Sequence, residues 1–188
     1  MEIRYKARVC ADKERIERLL SGSRVGVLGL NAGDYPYAVP LNYIWRGGCV
    51  YFHGAGSGKR VTLLDESPRV CFTVYEEYGT VKDDVPWHAD TAYLSAMVFG
   101  RAERVRDSEE AAAALQQLVE KFMPGFFSNS RIAASFVEKY RSSLDGNPVA
   151  VFRVKPDEIT AKENRTEPEN LFQPGMKKRD GAGAGGEG

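Results

Sequence analysis

The spacing of apolar residues changes along the chain from helical to strand-like. Ile16, Leu19 and Leu20 recur at helical spacing after Asp12, whose carboxylate can cap a helix N-terminus, and this pattern ends at residues 21–22. Short runs rich in Val, Tyr and Phe follow, with turn residues between them, at 25–30, 37–45, 49–53, 69–75 and 92–105. The pattern predicts one helix and then five strands.

The strand-like runs have the signature of an antiparallel sheet. Val70, Phe72 and Val74 alternate with more polar positions, as in a strand with one buried face. Residues 31–34 and 46–48 are short and rich in turn formers, so each connects two strands as a hairpin. We therefore expect a mostly antiparallel sheet.

Helical spacing returns at three places. A short helix is predicted at 58–65 with Ser57 as its cap, and a helical piece at 130–140. Asp107 and Glu110 resemble a capping box at the start of a longer amphipathic helix. Its apolar face comprises Leu115, Leu118, Val119, Phe122 and Met123. A last strand at 148–154 completes a mainly β fold, which we expect to be a small closed or partly closed antiparallel barrel with helices outside.

Residues 1–174 are long enough for one domain, with a helical insert at about 107–141, and 175–188 form a Gly-rich segment predicted to be a flexible tail. Lys plus Arg and Asp plus Glu number 26 each, so a zero net charge argues against nucleic acid or an anionic membrane as partner. No apolar run approaches the roughly 20 residues that span a bilayer. Three cysteines without a Cys-x-x-Cys pair indicate neither disulfides nor a metal site, and favour a cytoplasmic location.

Residues 51–60 carry the most informative chemistry. A strand ends at His53, passes through a loop containing Gly54, Gly56 and Gly58, and enters a helix that begins with Lys59 and Arg60. Glycine backbones, a helix N-terminus and two cations together can hold a phosphate. A Gly-rich turn with two solvated basic residues explains the same pattern. The loop lacks the first glycine and the final Ser or Thr of a nucleoside-triphosphate P-loop, which excludes that motif.

Five ordered segments resemble the FMN-binding split-barrel superfamily related to pyridoxamine 5'-phosphate oxidase, and within it the nitroimidazole-reductase-like branch. The segments are 24–30, 36–43, 51–55 followed by Gly58-Lys59, 68–72, and 95–103. The resemblance implies an antiparallel Greek-key split barrel and a homodimer with the flavin at its interface. FMN is the implied cofactor, with FAD and haem as alternatives found in related barrels.

The resemblance also implies the residues that bind the cofactor. Val39, Pro40, Leu41, Asn42 and Tyr43 would follow the isoalloxazine ring, and Ser95 would face the cofactor from the long strand. The turn His53-Gly54-Ala55 would run beside the flavin, while Ser57, Gly58, Lys59 and Arg60 would hold its phosphate. No residue is implied as a metal ligand.

The implied activity is a flavin-dependent oxidoreductase that takes electrons from a reduced nicotinamide and reduces a small organic acceptor such as a nitroaromatic or 5-nitroimidazole. His53 is the candidate proton donor, because an imidazole exchanges protons near neutral pH; a structural role in the turn is the alternative. Two other functions stay open, a non-catalytic flavin-binding redox or regulatory module and a haem-binding or haem-utilisation member of the same superfamily.

Overall fold

The computed structural model describes residues 3–143 and 146–178, so residues 179–188 of the predicted tail lie outside the described residues. The helices are α1 (Lys13–Gly22), α2 (Lys59–Glu66), α3 (Ser108–Phe122) and α4 (Ala134–Lys139). The strands are β1 (Val25–Leu30), β2 (Tyr37–Asn42), β3 (Ile44–Arg46), β4 (Cys49–Ala55), β5 (Arg69–Val81), β6 (Asp90–Arg104) and β7 (Val149–Asn164). Within this part of the chain, no helix is long and apolar enough to cross a membrane.

All strands join one antiparallel sheet in the order β2-β1-β5-β6-β7-β4-β3. The pairs β1–β5 and β4–β7 join strands that are not consecutive, as in Greek-key folds. The sheet curls into a half-barrel with the helices outside, which confirms the predicted fold class.

The single strand predicted over 37–45 is wrong, because the chain turns at Tyr43 and divides it into β2 and β3. These two strands lie at opposite edges of the sheet although one residue joins them. The two edges must therefore meet, which closes the curl. Tyr43 is fully buried, and its ring packs edge-on against Phe72 with ring centres 4.8 Å apart. Its hydroxyl donates to the carbonyl of Leu20 at 2.7 Å, near the end of α1.

Two groups of buried side chains hold the layers together. The first fills the interior of the barrel and includes Leu28, Phe52, Phe72, Val98 and Val154. The second lies between α3 and the outer face of β3, β4 and β7, and includes Ile44, Tyr51, Ala114, Leu118 and Val151. The helical insert therefore covers only one side of the barrel.

Strands β5 and β7 extend well past their predicted ends at 75 and 154. Sequence patterns missed the second half of β7 because it is rich in charge and contains Pro156, and such residues are depleted in strands. Pro156 lies opposite Gly100, where the β6–β7 register shifts. A Cβ at Gly100 would overlap the backbone of Lys155, so this irregularity requires glycine.

The predicted helix caps are partly correct. Asp12 accepts a hydrogen bond from the backbone N–H of Arg15, as expected. Asp107 caps α3, but Glu110 does not complete a capping box, because its carboxylate instead accepts from Tyr51 and Arg153. Ser57 as the cap of α2 is wrong: Gly58 occupies that position, and no side chain caps the helix. The helical piece predicted at 130–140 shortens to α4.

We expect Tyr43→Phe to lower the free energy of unfolding by about 1–3 kcal/mol, because the Leu20 carbonyl loses its donor in a buried place. Chemical denaturation measures the difference. Tyr35→Phe is the matched control, since Tyr35 is 81% exposed, and it should change stability by less than about 0.5 kcal/mol. Equal stability of the two variants would contradict this role of Tyr43.

Candidate functional site

The loop between β4 and α2 leads directly into an uncapped helix. Strand β4 pairs with β7, with His53 opposite Val151, and ends at Ala55. Gly58, with a φ of +98°, turns the chain into α2. Because no side chain caps α2, the first backbone N–H groups of this helix are left for solvent or an anion.

Arg60 is a partly buried cation without a counter-charge among the described residues. Its guanidinium carbon lies 5.6 Å from the centre of the Phe52 ring and 5.8 Å from that of Phe152. Nε is buried without a hydrogen-bond partner, and no described carboxylate pairs with the side chain. Burial lowers the pKa of Arg60. A buried charge is costly unless it is paired, so this position favours an anionic ligand.

Gly54 makes the position of Arg60 feasible. A Cβ on Gly54 would overlap the Nη2 atom of Arg60, so the guanidinium occupies the space that a side chain would fill. A side chain at this position would therefore displace the flexible end of Arg60 from its place over Phe52 and Phe152.

Lys59 and Ser57 face other neighbours of the loop. The Nζ atom of Lys59 lies 4.7 Å from the centre of the Tyr37 ring, which brings the first turn of α2 beside the start of β2. The Ser57 hydroxyl accepts a hydrogen bond from Nδ2 of Asn147 at 3.2 Å and can still donate its own proton. Two cations therefore lie in the first turn of this uncapped helix, and a hydroxyl lies in the loop just before it.

His53 lies on the outer side of β4, next to this cationic group. Its side chain is exposed, yet the surrounding protein desolvates the ring enough to lower its pKa, and the positive charge of Arg60 lowers that pKa further. His53 is therefore a neutral imidazole near pH 7, with one ring nitrogen as donor and the other as acceptor. It can exchange protons as the pH falls.

A second group of predicted residues lies on the outer face of the sheet that α3 leaves uncovered. One row of side chains crosses five strands in the register Pro40, Val27, Thr73, Met97 and Thr160. The next row contains Asn42 opposite Val25, and Tyr75 opposite Ser95. Neighbouring strands are about 4.8 Å apart, which puts Asn42 and Ser95 roughly 14 Å apart on one surface.

The structure brings some predicted site residues together and separates others. Val39 and Leu41 turn toward the interior, opposite Leu28 and Gly26, and the Tyr43 side chain belongs to the core. Ser95 donates weakly to the carbonyl of Lys162, with Oγ and O 3.4 Å apart.

Sequence reasoning missed several residues of these two surfaces. They include Tyr37 beside Lys59, Phe152 beneath Arg60, and the apolar positions of the outer face. Alternation within β1 and β6 indicates that Val27 and Met97 share a face, but only strand order shows that this face stays uncovered.

A cavity of about 870 Å³ lies at the opposite end of the barrel, between α1 and the segment after β7. Arg15, Tyr78, Leu94, Asn164 and Arg165 are among its lining residues. No residue predicted as a site residue lines it. Among the described residues, no group of His, Cys, Asp and Glu has the arrangement of a metal site.

Comparison with known proteins gives a family and a fold. A family model described as pyridoxamine 5'-phosphate oxidase matches residues 12–163. A flavocytochrome from Azotobacter vinelandii is 25% identical with a TM-score of 0.73, over 92% of this chain and 76% of that one. A candidate 5-nitroimidazole antibiotic resistance protein from Bacteroides thetaiotaomicron is also 25% identical, with a TM-score of 0.63 over 82% and 85% of the two chains.

An FAD- and haem-binding protein from Mycobacterium smegmatis has a TM-score of 0.71 at 19% identity, over 85% of this chain and 74% of that one. At this identity the likeness supports the fold alone. None of the curated proteins matches the chain.

Proposed function

The chain belongs to the pyridoxamine 5'-phosphate oxidase family of flavin-binding split barrels, and on this basis we propose that it is a flavin-dependent oxidoreductase. We propose FMN as the cofactor, a reduced nicotinamide as the electron donor and a small organic acceptor, such as a nitroaromatic, as substrate. The similarity to the Bacteroides protein supports the nitro compound as acceptor.

Arg60 is the observation on which the proposal rests. A flavin phosphate would supply the negative charge that this partly buried guanidinium lacks among the described residues. Lys59, the Ser57 hydroxyl and the uncapped N–H groups of α2 would complete the phosphate site. The residues present therefore fit the phosphate of a flavin.

The uncovered outer face suits the flavin ring and a second copy of the chain. Val25, Val27, Tyr75 and Met97 are large apolar residues that are 38–52% exposed on it. A contiguous apolar patch of this kind is typical of an interface. In the proposed homodimer, Asn42 would contact the polar edge of the ring, and Ser95 would face the cofactor from β6.

When bound, a flavin supplies hydride and electron transfer, and the protein contributes binding, orientation and proton supply. Pro40 and Asn42 would orient the ring from β2. The positive charge of Arg60 lowers the pKa of His53, and the protonated fraction of His53, which grows as the pH falls, can deliver a proton to the acceptor as electrons arrive.

The double substitution Lys59→Gln/Arg60→Gln should weaken FMN affinity at least about tenfold, because each charge-assisted hydrogen bond contributes about 1.5–3 kcal/mol. Quenching of flavin fluorescence measures the affinity. The matched control is Lys6→Gln/Lys13→Gln, which removes two exposed lysines and should leave affinity unchanged. Unchanged affinity in the first variant would overturn the phosphate site.

His53→Gln should keep FMN bound but alter how the rate of flavin reoxidation by a nitroaromatic depends on pH. With His53 as proton donor, the wild-type rate falls as pH rises through the lowered pKa of this residue, since the neutral ring has lost the proton. The variant should lose that dependence. An identical pH profile in both proteins would contradict proton donation by His53 and favour a structural role for it. If reduced nicotinamide does not reduce the flavin at all, the protein is better described as a non-catalytic flavin-binding module.

Val27→Glu/Met97→Glu should convert the proposed dimer to a monomer, because it places four like charges on one apolar interface. Sedimentation velocity at micromolar concentration distinguishes the two states. Tyr35→Glu is the control for an added charge at an exposed aromatic residue. A monomeric wild-type protein that retains flavin would contradict the interface.

A further inference from the structure

The loop between β4 and α2 contacts a second guanidinium group, contributed by Arg104 at the end of β6. A Cβ on Gly56 would lie 3.3 Å from Nη2 of Arg104 and 3.1 Å from the carbonyl oxygen of Pro148. Gly54 makes the equivalent space for Arg60. Two residues span at most about 7 Å of chain, so the two arginines meet neighbouring points of one loop from different elements.

A cavity of about 580 Å³ opens beside Gly56, between α2 and the adjacent ends of β6 and β7. Val61, Leu64 and Phe152 provide its apolar surface. Asp65, Arg104 and Arg106 also line it. This volume lies within the range of small-molecule sites, which combine apolar walls with a few polar groups.

The charged groups of this cavity are not all engaged with one another. Arg153 donates to Glu110 at 2.8 Å and also binds Glu103, so the two glutamates in the lining already have a cation. The side chains of Arg104, Arg106 and Asp65 have no hydrogen bond or ion pair with the described part of the chain. Two guanidinium groups and one carboxylate, all on exposed residues, are thus open to a ligand as well as to solvent.

We propose that this cavity binds the adenosine 5'-diphosphate half of a dinucleotide, with Arg104 on the second phosphate and Asp65 on the ribose hydroxyls. The inference rests on the proposed function, because Arg60 takes the phosphate next to the flavin. A single phosphate needs only Arg60, Lys59 and the start of α2. Arg104 approaches the loop at Gly56, two residues after the point that Arg60 approaches, and so suits an adjacent phosphate. A carboxylate is an acceptor for ribose hydroxyls.

An adenosine diphosphate group can come from the cofactor, as FAD, or from the nicotinamide electron donor. The affinities for FMN and FAD test the first source. The second source, the nicotinamide donor, is tested by the KM for the reduced nicotinamide, which should rise in Arg104→Gln while kcat stays unchanged. Adenosine diphosphate alone probes the cavity independently of any flavin.

The decisive variant is Arg104→Gln, with Arg101→Gln as its control on the same strand. Arg101 and Arg104 are both exposed, but only Arg104 lines the cavity. We expect Arg104→Gln to weaken binding of adenosine diphosphate, measured by calorimetry, by about 10- to 100-fold, which corresponds to loss of one charge-assisted contact. FMN affinity should change less than about twofold. Asp65→Asn should weaken adenosine diphosphate binding as well.

Two results would overturn the inference. One is an equal loss of FMN and FAD affinity in Arg104→Gln, which would make Arg104 part of the single-phosphate site. The other is a wild-type protein that binds flavin but not adenosine diphosphate, with the same FAD affinity and nicotinamide KM in Arg104→Gln. Failure of the wild type to bind either flavin would instead contradict the proposed function, and adenosine diphosphate binding would still report on the cavity.

Discussion

Tyr43 is the only residue between two strands that lie at opposite edges of the sheet. A sheet with its edges tied by one residue has to curl, and the side chain at that point is then enclosed by the strands it joins. The buried Tyr43 hydroxyl donates to the carbonyl of Leu20 and so connects the turn between β2 and β3 to α1. Lys121 of α3 donates to the carbonyls of Tyr43 and Ser23, which ties the helical insert to the same turn.

The candidate site follows from this closure. Because β2 is brought next to β4, the outward residues of β2 continue toward His53 and the loop that follows it. Gly54 of the loop then lies beside Arg60, a partly buried cation for which the described residues offer no counter-charge. A side chain at Gly54 would displace the end of Arg60, and one at Gly56 would press against the backbone carbonyl of Pro148 and the end of Arg104. The glycines of this loop therefore leave room for contacts within the protein.

Local patterns predicted most of the strands, the turns and the glycine-rich entry to α2 over residues 53–60, because alternation, turn residues and a helix start are properties of adjacent positions. They did not predict the turn at Tyr43. The strand-like run at 37–45 is continuous in sequence, although the chain passes there from one edge of the sheet to the other. The contact of Arg104 with Gly56 joins residues 48 positions apart, and the uncovered outer face depends on strand order. Such features arise from long-range packing that a single sequence does not display.

The central proposal is that this chain binds a flavin at the start of α2, where Arg60 lies. The most direct measurement is the visible absorption spectrum of freshly purified protein, followed by chromatographic identification of the ligand that heat releases. The account predicts one flavin per chain, released intact as FMN or FAD. A colourless protein that takes up neither FMN nor FAD when they are added would contradict it.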